Sequence, residues 1–181
     1  SQGKKNEVIS VEETGGNKAI NQGRQIYAQI PGLNIWESDG AGIQLGIGGR
    51  GLNPSRTSNY NTRQNGYDIS ADALGYPETY YTPPTEAVQK IQLIRGAAAL
   101  QFGTQFGGLL NFVLKTGNEE KQLEAAIRQT VGSFGLSNTF LEVGGSKKRW
   151  NYYAYGQYKT GNDFRPNSEF DVYAAGLNAQ Y

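Results

Sequence analysis

The chain has 181 residues, of which 37% are hydrophobic and 18% charged, and its formal net charge is +1. It contains no cysteine and no histidine, which excludes disulfide frameworks, thiolate sites, Ser-His-Asp and Cys-His catalytic devices and histidine metal centres. The near-neutral charge offers no global field for nucleic acid.

Taken in chain order, the N-terminus shows no signal-peptide pattern, and SQGKKNEVISVEE reads as the start of a mature or trimmed chain. A strand is predicted over 7–11. The spacing of Ile20, Ile26, Tyr27 and Ile30 predicts a helix over 21–30, which Pro31-Gly32 stops. A short strand follows at 33–36 and a turn at 38–42. Ile43, Leu45 and Ile47 alternate with Gln44, Gly46 and Gly48, so 43–47 is a strand. Residues 53–65 read as a long polar loop ending in Asn65-Gly66, a strong tight-turn signal. The run 69–81 is irregular and closes on Pro83-Pro84. One helical turn at 85–88 precedes a strand around Ile91, Leu93 and Ile94, and a last apolar strand fills 107–116. Short strands and helices around a small mixed sheet make this first part α+β.

From 118 onward the texture changes to alternating segments of about ten residues, the length of a membrane-spanning β-strand. Leu123, Ala125, Ile127 and Val131 share one face; Glu124, Arg128 and Thr130 share the other. Thr139, Leu141 and Val143 alternate with Asn138 and Glu142. A turn is expected over 144–149. Trp150, Tyr152 and Ala154 alternate with Asn151, Tyr153 and Tyr155. After a polar loop at 160–168, Tyr173, Ala175, Leu177, Ala179 and Tyr181 line one face. No run approaches the ~18 apolar residues of a membrane helix, which does not exclude a membrane, since a spanning β-strand needs only ~9–11 alternating residues. Four strands do not close a barrel, since the smallest have about eight. The organisation expected is a domain over 1–117 and, over 118–181, the N-terminal strands of a transmembrane β-barrel, incomplete in this chain.

Several motifs carry a mundane reading. Gly46-Ile-Gly-Gly-Arg-Gly51 matches a dinucleotide-binding pattern, with Asp68 and Asp72 beyond it. The motif needs a helix start facing the pyrophosphate, and the residues after Gly51 include Pro54 and have no apolar period. Close sheet packing explains these glycines. Asp39, Asp68, Asp72, Glu78 and Glu86 are scattered and lack the calcium-loop pattern, so no metal and no cofactor are assigned.

Three features recur in a fixed order: Gly49-Arg50-Gly51 after one strand, Ile94-Arg95-Gly96 after another, and a Phe-Gly-rich turn leading into Gly107-Gly-Leu-Leu-Asn-Phe-Val-Leu-Lys-Thr. In these the chain resembles the plug domain of TonB-dependent outer-membrane receptors. The run RQNGYDISADALGYPETYYTPP is similar to the ferric-dicitrate branch of Bacteroidetes-type bacteria. The resemblance covers the first two-thirds of the chain. It implies a plug followed by a barrel of about 22 strands, far more than this chain supplies. It further implies that Arg50 and Arg95 anchor the plug to carboxylates of the barrel wall. Arg56, Arg63, Gln64, Tyr80 and Tyr81 fall on or beside loops that would form the ligand-facing apex, where guanidinium and amide groups suit an anionic, oxygen-rich chelate. The segment 7–11 is read as the first plug strand rather than the TonB-pairing box.

The expectation is therefore a non-enzymatic active transporter in the outer membrane that imports a ferric chelate, ferric dicitrate foremost. Its partners would be the TonB energy-transducing complex, the chelate and outer-membrane lipid, with no nucleic acid. The rival readings are a glycan-importing receptor of the same architecture and a soluble β-rich binding module.

Overall fold

The computed structural model describes residues 6–11, 32–37, 45–49, 60–69, 81–94, 107–162 and 169–181. The chain divides into two compact units, Ser1–Val113 and Leu114–Tyr181. Among the described residues no helix is long and apolar enough to cross a membrane, which says nothing of strands.

The first unit is built on a five-stranded mixed sheet. Its strands are β1 (Asn6–Ser10), β4 (Tyr60–Gln64), β5 (Tyr67–Asp68), β6 (Val88–Ile94) and β7 (Gly108–Leu114), in the order β1-β6-β7-β4-β5. A separate antiparallel pair joins β2 (Leu33–Glu37) to β3 (Leu45–Gly49). β7 is the central strand, and Leu109 and Leu110 are both buried although they point to opposite faces. A strand covered on both sides needs a near-continuous apolar run, and GLLNFVL supplies it. Ile91 and Leu93 of β6 and Phe112 of β7 complete this core.

The predicted helical turn is present as a 3-10 turn, Thr85–Ala87, leading directly into β6. The helix expected over 21–30 lies outside the described residues. One expectation is corrected: the end of the polar loop predicted over 53–65 is strand β4. Tyr-Asn-Thr-Arg-Gln has no apolar alternation, so local pattern hides it. Parallel pairing with β7, from Tyr60 against Gly108 to Gln64 against Phe112, makes it a strand, and Tyr60, Asn61 and Thr62 are buried there. Strand preference of this kind is set by neighbours more than by the residues themselves.

The second unit is a four-stranded antiparallel meander: β8 (Glu124–Val131), β9 (Ser137–Lys147), β10 (Trp150–Asn162) and β11 (Glu169–Gln180), in the order β11-β10-β9-β8. The turn predicted over 144–149 shortens to Lys148-Arg149, because Gly144 to Lys147 continue β9 and Lys147 pairs with Trp150. Lys148 takes a left-handed conformation, φ 59°, to make so tight a reversal. At the opposite end of the sheet the β8–β9 connection, 132–136, is longer, and Asn162 of β10 donates its backbone N–H to Phe134 there. β10 extends to Asn162, so the first three residues of the loop predicted over 160–168 are strand.

Candidate functional site

The candidate apex begins with the β4–β5 hairpin. Asn65 and Gly66 both have positive φ, 48° and 83°. That is the conformation of a two-residue hairpin turn whose twist matches its strands, and Asn-Gly is the dipeptide that adopts it most readily. Asn61 and Arg63 share one face of β4, two residues apart, and Arg63 lies opposite Asp68. The buried Asn61 amide accepts from Arg63 Nε at 2.7 Å and donates to Asp68 at 2.6 Å. Arg63 also donates to the Gly66 carbonyl at 2.8 Å. The Asn111 side chain of β7 accepts the Gly66 N–H at 2.9 Å and donates to Gln92 of β6 at 2.9 Å. One polar chain thus runs across four strands and the turn. Next to it, the Tyr81 hydroxyl donates to Gln64 at 3.0 Å.

Of the residues singled out in the sequence, Arg63, Gln64 and Tyr81 gather at this hairpin. Arg56, Tyr80, Arg50 and Arg95 lie outside the described residues. Asn61, Asp68 and Asn111 escaped the sequence reading as members of the site. The only signal available was a high density of amides around the Asn-Gly turn. Among the described residues no group of histidine, cysteine, aspartate or glutamate is placed to hold a metal ion.

The second unit offers two contrasting faces. One carries Leu123, Ile127, Val131, Leu141 and Leu177 into the open, with Ile127 71% and Leu177 74% exposed. The other buries Asn138, Gln157 and Lys159 beside Phe140, Tyr153 and Tyr155. Apolar outside and polar inside is the reverse of a water-soluble sheet and is the pattern of a lipid-facing strand. Aromatic pairs bound the apolar face at both ends. Trp150 and Tyr181 lie 5.1 Å apart near the tight turn, and Tyr158 and Tyr173 stack at 4.8 Å toward the other end. Trp150 and Tyr158 are eight positions apart on β10, or roughly 26 Å along a strand. At a tilt of about 40° this is a height of roughly 20 Å, most of the ~25 Å apolar band of such walls.

On the inward face Glu142 collects three donors. Arg128 reaches Oε1 at 2.8 Å, while Lys115 and the Tyr153 hydroxyl reach Oε2 at 3.3 and 2.7 Å. Register places Ala126 opposite Glu142, so Arg128 arrives diagonally from the neighbouring strand. The segment that brings in Lys115 is itself fixed. Gly117 donates its N–H to Asn151 Oδ1 and accepts from Asn151 Nδ2, both at 2.8 Å. A Cβ on Gly117 would stand 2.3 Å from the Gly145 carbonyl and 2.4 Å from that of Tyr152. Neither Glu142 nor Asn151 was distinguished in the sequence from any other inward polar residue.

With this geometry in hand, comparison with known proteins is specific. Residues 3–109 match the family model described as TonB-dependent Receptor Plug Domain. The ferrienterobactin receptor of Escherichia coli (strain K12) is 29% identical over 127 residues, which are 62% of this chain and 16% of that protein. Among solved structures, the ferric citrate transporter FecA in its unliganded form matches 97% of this chain with a TM-score of 0.77 and 25% identity. FpvA of P. aeruginosa, bound to heterologous pyoverdines, matches 96% of it with a TM-score of 0.71; at 16% identity this likeness shows the fold alone. The chain spans 16% of the curated relative and 28% and 22% of these two solved chains.

Proposed function

This chain belongs to the TonB-dependent receptor plug family and to the outer membrane, and from that premise we propose that it is the plug and first wall strands of an active importer of a ferric chelate, ferric dicitrate foremost. The observation that carries the reading is the match to the ferric citrate transporter over 97% of the chain. No covalent chemistry is required. The chelate would bind from outside, and a TonB-type partner would supply the work that displaces the plug.

The chemistry at the hairpin supports an anionic ligand. Arg63 spends at least two of its N–H donors on Asn61 and Gly66, so its guanidinium is held in place rather than waving in solvent. A preoriented guanidinium loses little freedom on meeting a carboxylate. Arg56, Gln64, Tyr80 and Tyr81 would complete the contacts, with iron held by citrate. Arg50 and Arg95 would anchor the plug to wall carboxylates.

Isothermal calorimetry with ferric citrate on the full receptor tests this. Replacing Arg56 and Arg63 by glutamine should weaken binding by roughly tenfold or more, the worth of one to two charge-assisted hydrogen bonds. The loss should be greater at low salt, where the attraction is least screened. Unchanged affinity, or a wild-type receptor that ignores ferric citrate and takes up a neutral oligosaccharide, would remove the dicitrate assignment.

Orientation follows from the connections. Short turns face the periplasm and longer loops the exterior in such walls, so Lys148-Arg149 should be periplasmic and Asn162 extracellular. A cysteine at position 162 should react with an impermeant maleimide in intact cells. Reaction only after the outer membrane is broken would invert the topology.

A further inference from the structure

Resting on the membrane-spanning reading of the second unit, we propose that the β9–β10 hairpin tip binds the headgroups of anionic phospholipids. Three cations follow one another here, Lys147, Lys148 and Arg149, and all three are exposed. Among the described residues Lys147 and Lys148 enter no ion pair, and Arg149 makes only a long 3.4 Å contact to the Tyr181 hydroxyl. Two nearby carboxylates are already committed elsewhere. Glu124 is paired with Lys121 at 2.6 Å, and Glu142 is committed on the inward face. Glu119 and Glu120, both exposed, lie on the connection whose Lys121 carbonyl accepts the Ser146 N–H at 2.8 Å; they border the tip on the β8 side of β9 and leave it with an excess of positive charge.

Position turns this charge into a site. Lys147 pairs with Trp150 across the turn and shares the outward face with it. Trp150 packs against Tyr181, and this pair marks the border of the apolar band. Aromatic rings of this kind settle at headgroup depth. The cations therefore stand one short step beyond the acyl region, at the level of lipid phosphates. The long stems of Lys147 and Arg149 can lie along the aromatic rings while their charged ends reach the phosphates. The tightness of the turn holds the three charges close together. A zwitterionic headgroup would leave an ammonium among three cations, whereas phosphatidylglycerol brings only negative charge. The site therefore discriminates by headgroup charge.

The test uses the full receptor in nanodiscs of equal phosphatidylglycerol and phosphatidylethanolamine, released into native mass spectrometry to count retained lipids. Wild type should retain phosphatidylglycerol in preference. The variant carrying Lys147→Gln, Lys148→Asn and Arg149→Gln should lose most of that preference, on the order of tenfold at low salt, as expected from removing several cations from an anionic surface. These positions are exposed, and asparagine tolerates the left-handed backbone at 148. Lys147→Arg with Lys148→Arg should keep the preference. A triple variant with undiminished preference, or a wild type that holds both lipids equally, would overturn the headgroup site while the wall reading stands. A stronger preference for lipopolysaccharide in a parallel arm would also overturn it. A receptor that fails to insert into nanodiscs at all would bring down the membrane-spanning reading itself.

Discussion

Gly117→Ala is expected to destabilise the second unit by roughly 2–4 kcal/mol, combining overpacking with the loss of two hydrogen bonds. The added methyl would meet backbone atoms of Gly145 and Tyr152 at 2.3–2.5 Å, and backbone cannot swing aside as a long side chain does. To relieve the contact, the segment must lift away from the strands and release both bonds from Asn151. Asn151→Ala isolates the bonds from the clash and should cost about half as much, near 1–2 kcal/mol. Asn151→Asp should be worse than alanine, because a carboxylate oxygen would then face the Gly117 carbonyl. Denaturant unfolding of the full receptor in detergent gives the energies. Trypsin cleavage after Lys115 and Lys121, which flank the clamp, gives a local reading. A Gly117→Ala receptor as resistant to trypsin and denaturant as wild type would show that the segment is not held there.

Glu142→Ala should have the next largest effect, about 2–4 kcal/mol, because it leaves charges on a half-buried face without their counterion. Glu142 keeps 13% side-chain exposure, against 21% for Lys115 and 47% for Arg128. Solvent screens the Arg128 contact most, so its coupling to Glu142 should stay within the 0.2–1 kcal/mol range of an exposed pair, about 0.5. Lys115 is the more enclosed partner and should couple more strongly. Without the carboxylate, Lys115 and Arg128 become two like charges near one another, and the Tyr153 hydroxyl loses its acceptor. Double-mutant cycles over the pairs Glu142–Lys115 and Glu142–Arg128 separate these contributions. Coupling larger at Arg128 than at Lys115 would contradict the burial argument, and a negligible cost for Glu142→Ala would sink it.

These two residues mark the boundary of what the chain reveals before its fold is known. The alternation of Trp150, Tyr152 and Ala154 with Asn151, Tyr153 and Tyr155 was readable because a strand sends successive side chains to opposite faces. The Asn65-Gly66 turn was readable because it depends on two residues and their own backbone preferences. The strand at 60–64 was not, because its partners stand more than forty residues away in β7. Glu142 was seen on the face opposite Leu141 and Val143 and no more. Its three donors come from β8, β10 and the segment after β7, and no local window contains them. The same holds for the apex. Arg63 was singled out for its charge, but its tether to Asn61 and Gly66 depends on how the hairpin closes.

The order β11-β10-β9-β8 has a consequence for how the wall comes into being. Every strand pairs with its neighbour in sequence, so each step of assembly closes only a short loop, and the entropy of closure grows slowly with loop length. The two-residue reversal at Lys148-Arg149 makes β9–β10 the pair with the least chain to bring together, and thus the natural nucleus from which β8 and β11 are added outward. Growth from that hairpin proceeds by local steps on both sides. At the two ends of this order β8 and β11 each keep, among the described residues, one edge without a neighbour. An exposed edge of N–H and C=O groups is a template for any passing strand. Until they are covered, the outer edges of β8 and β11 are where a mispaired or aggregated chain would begin.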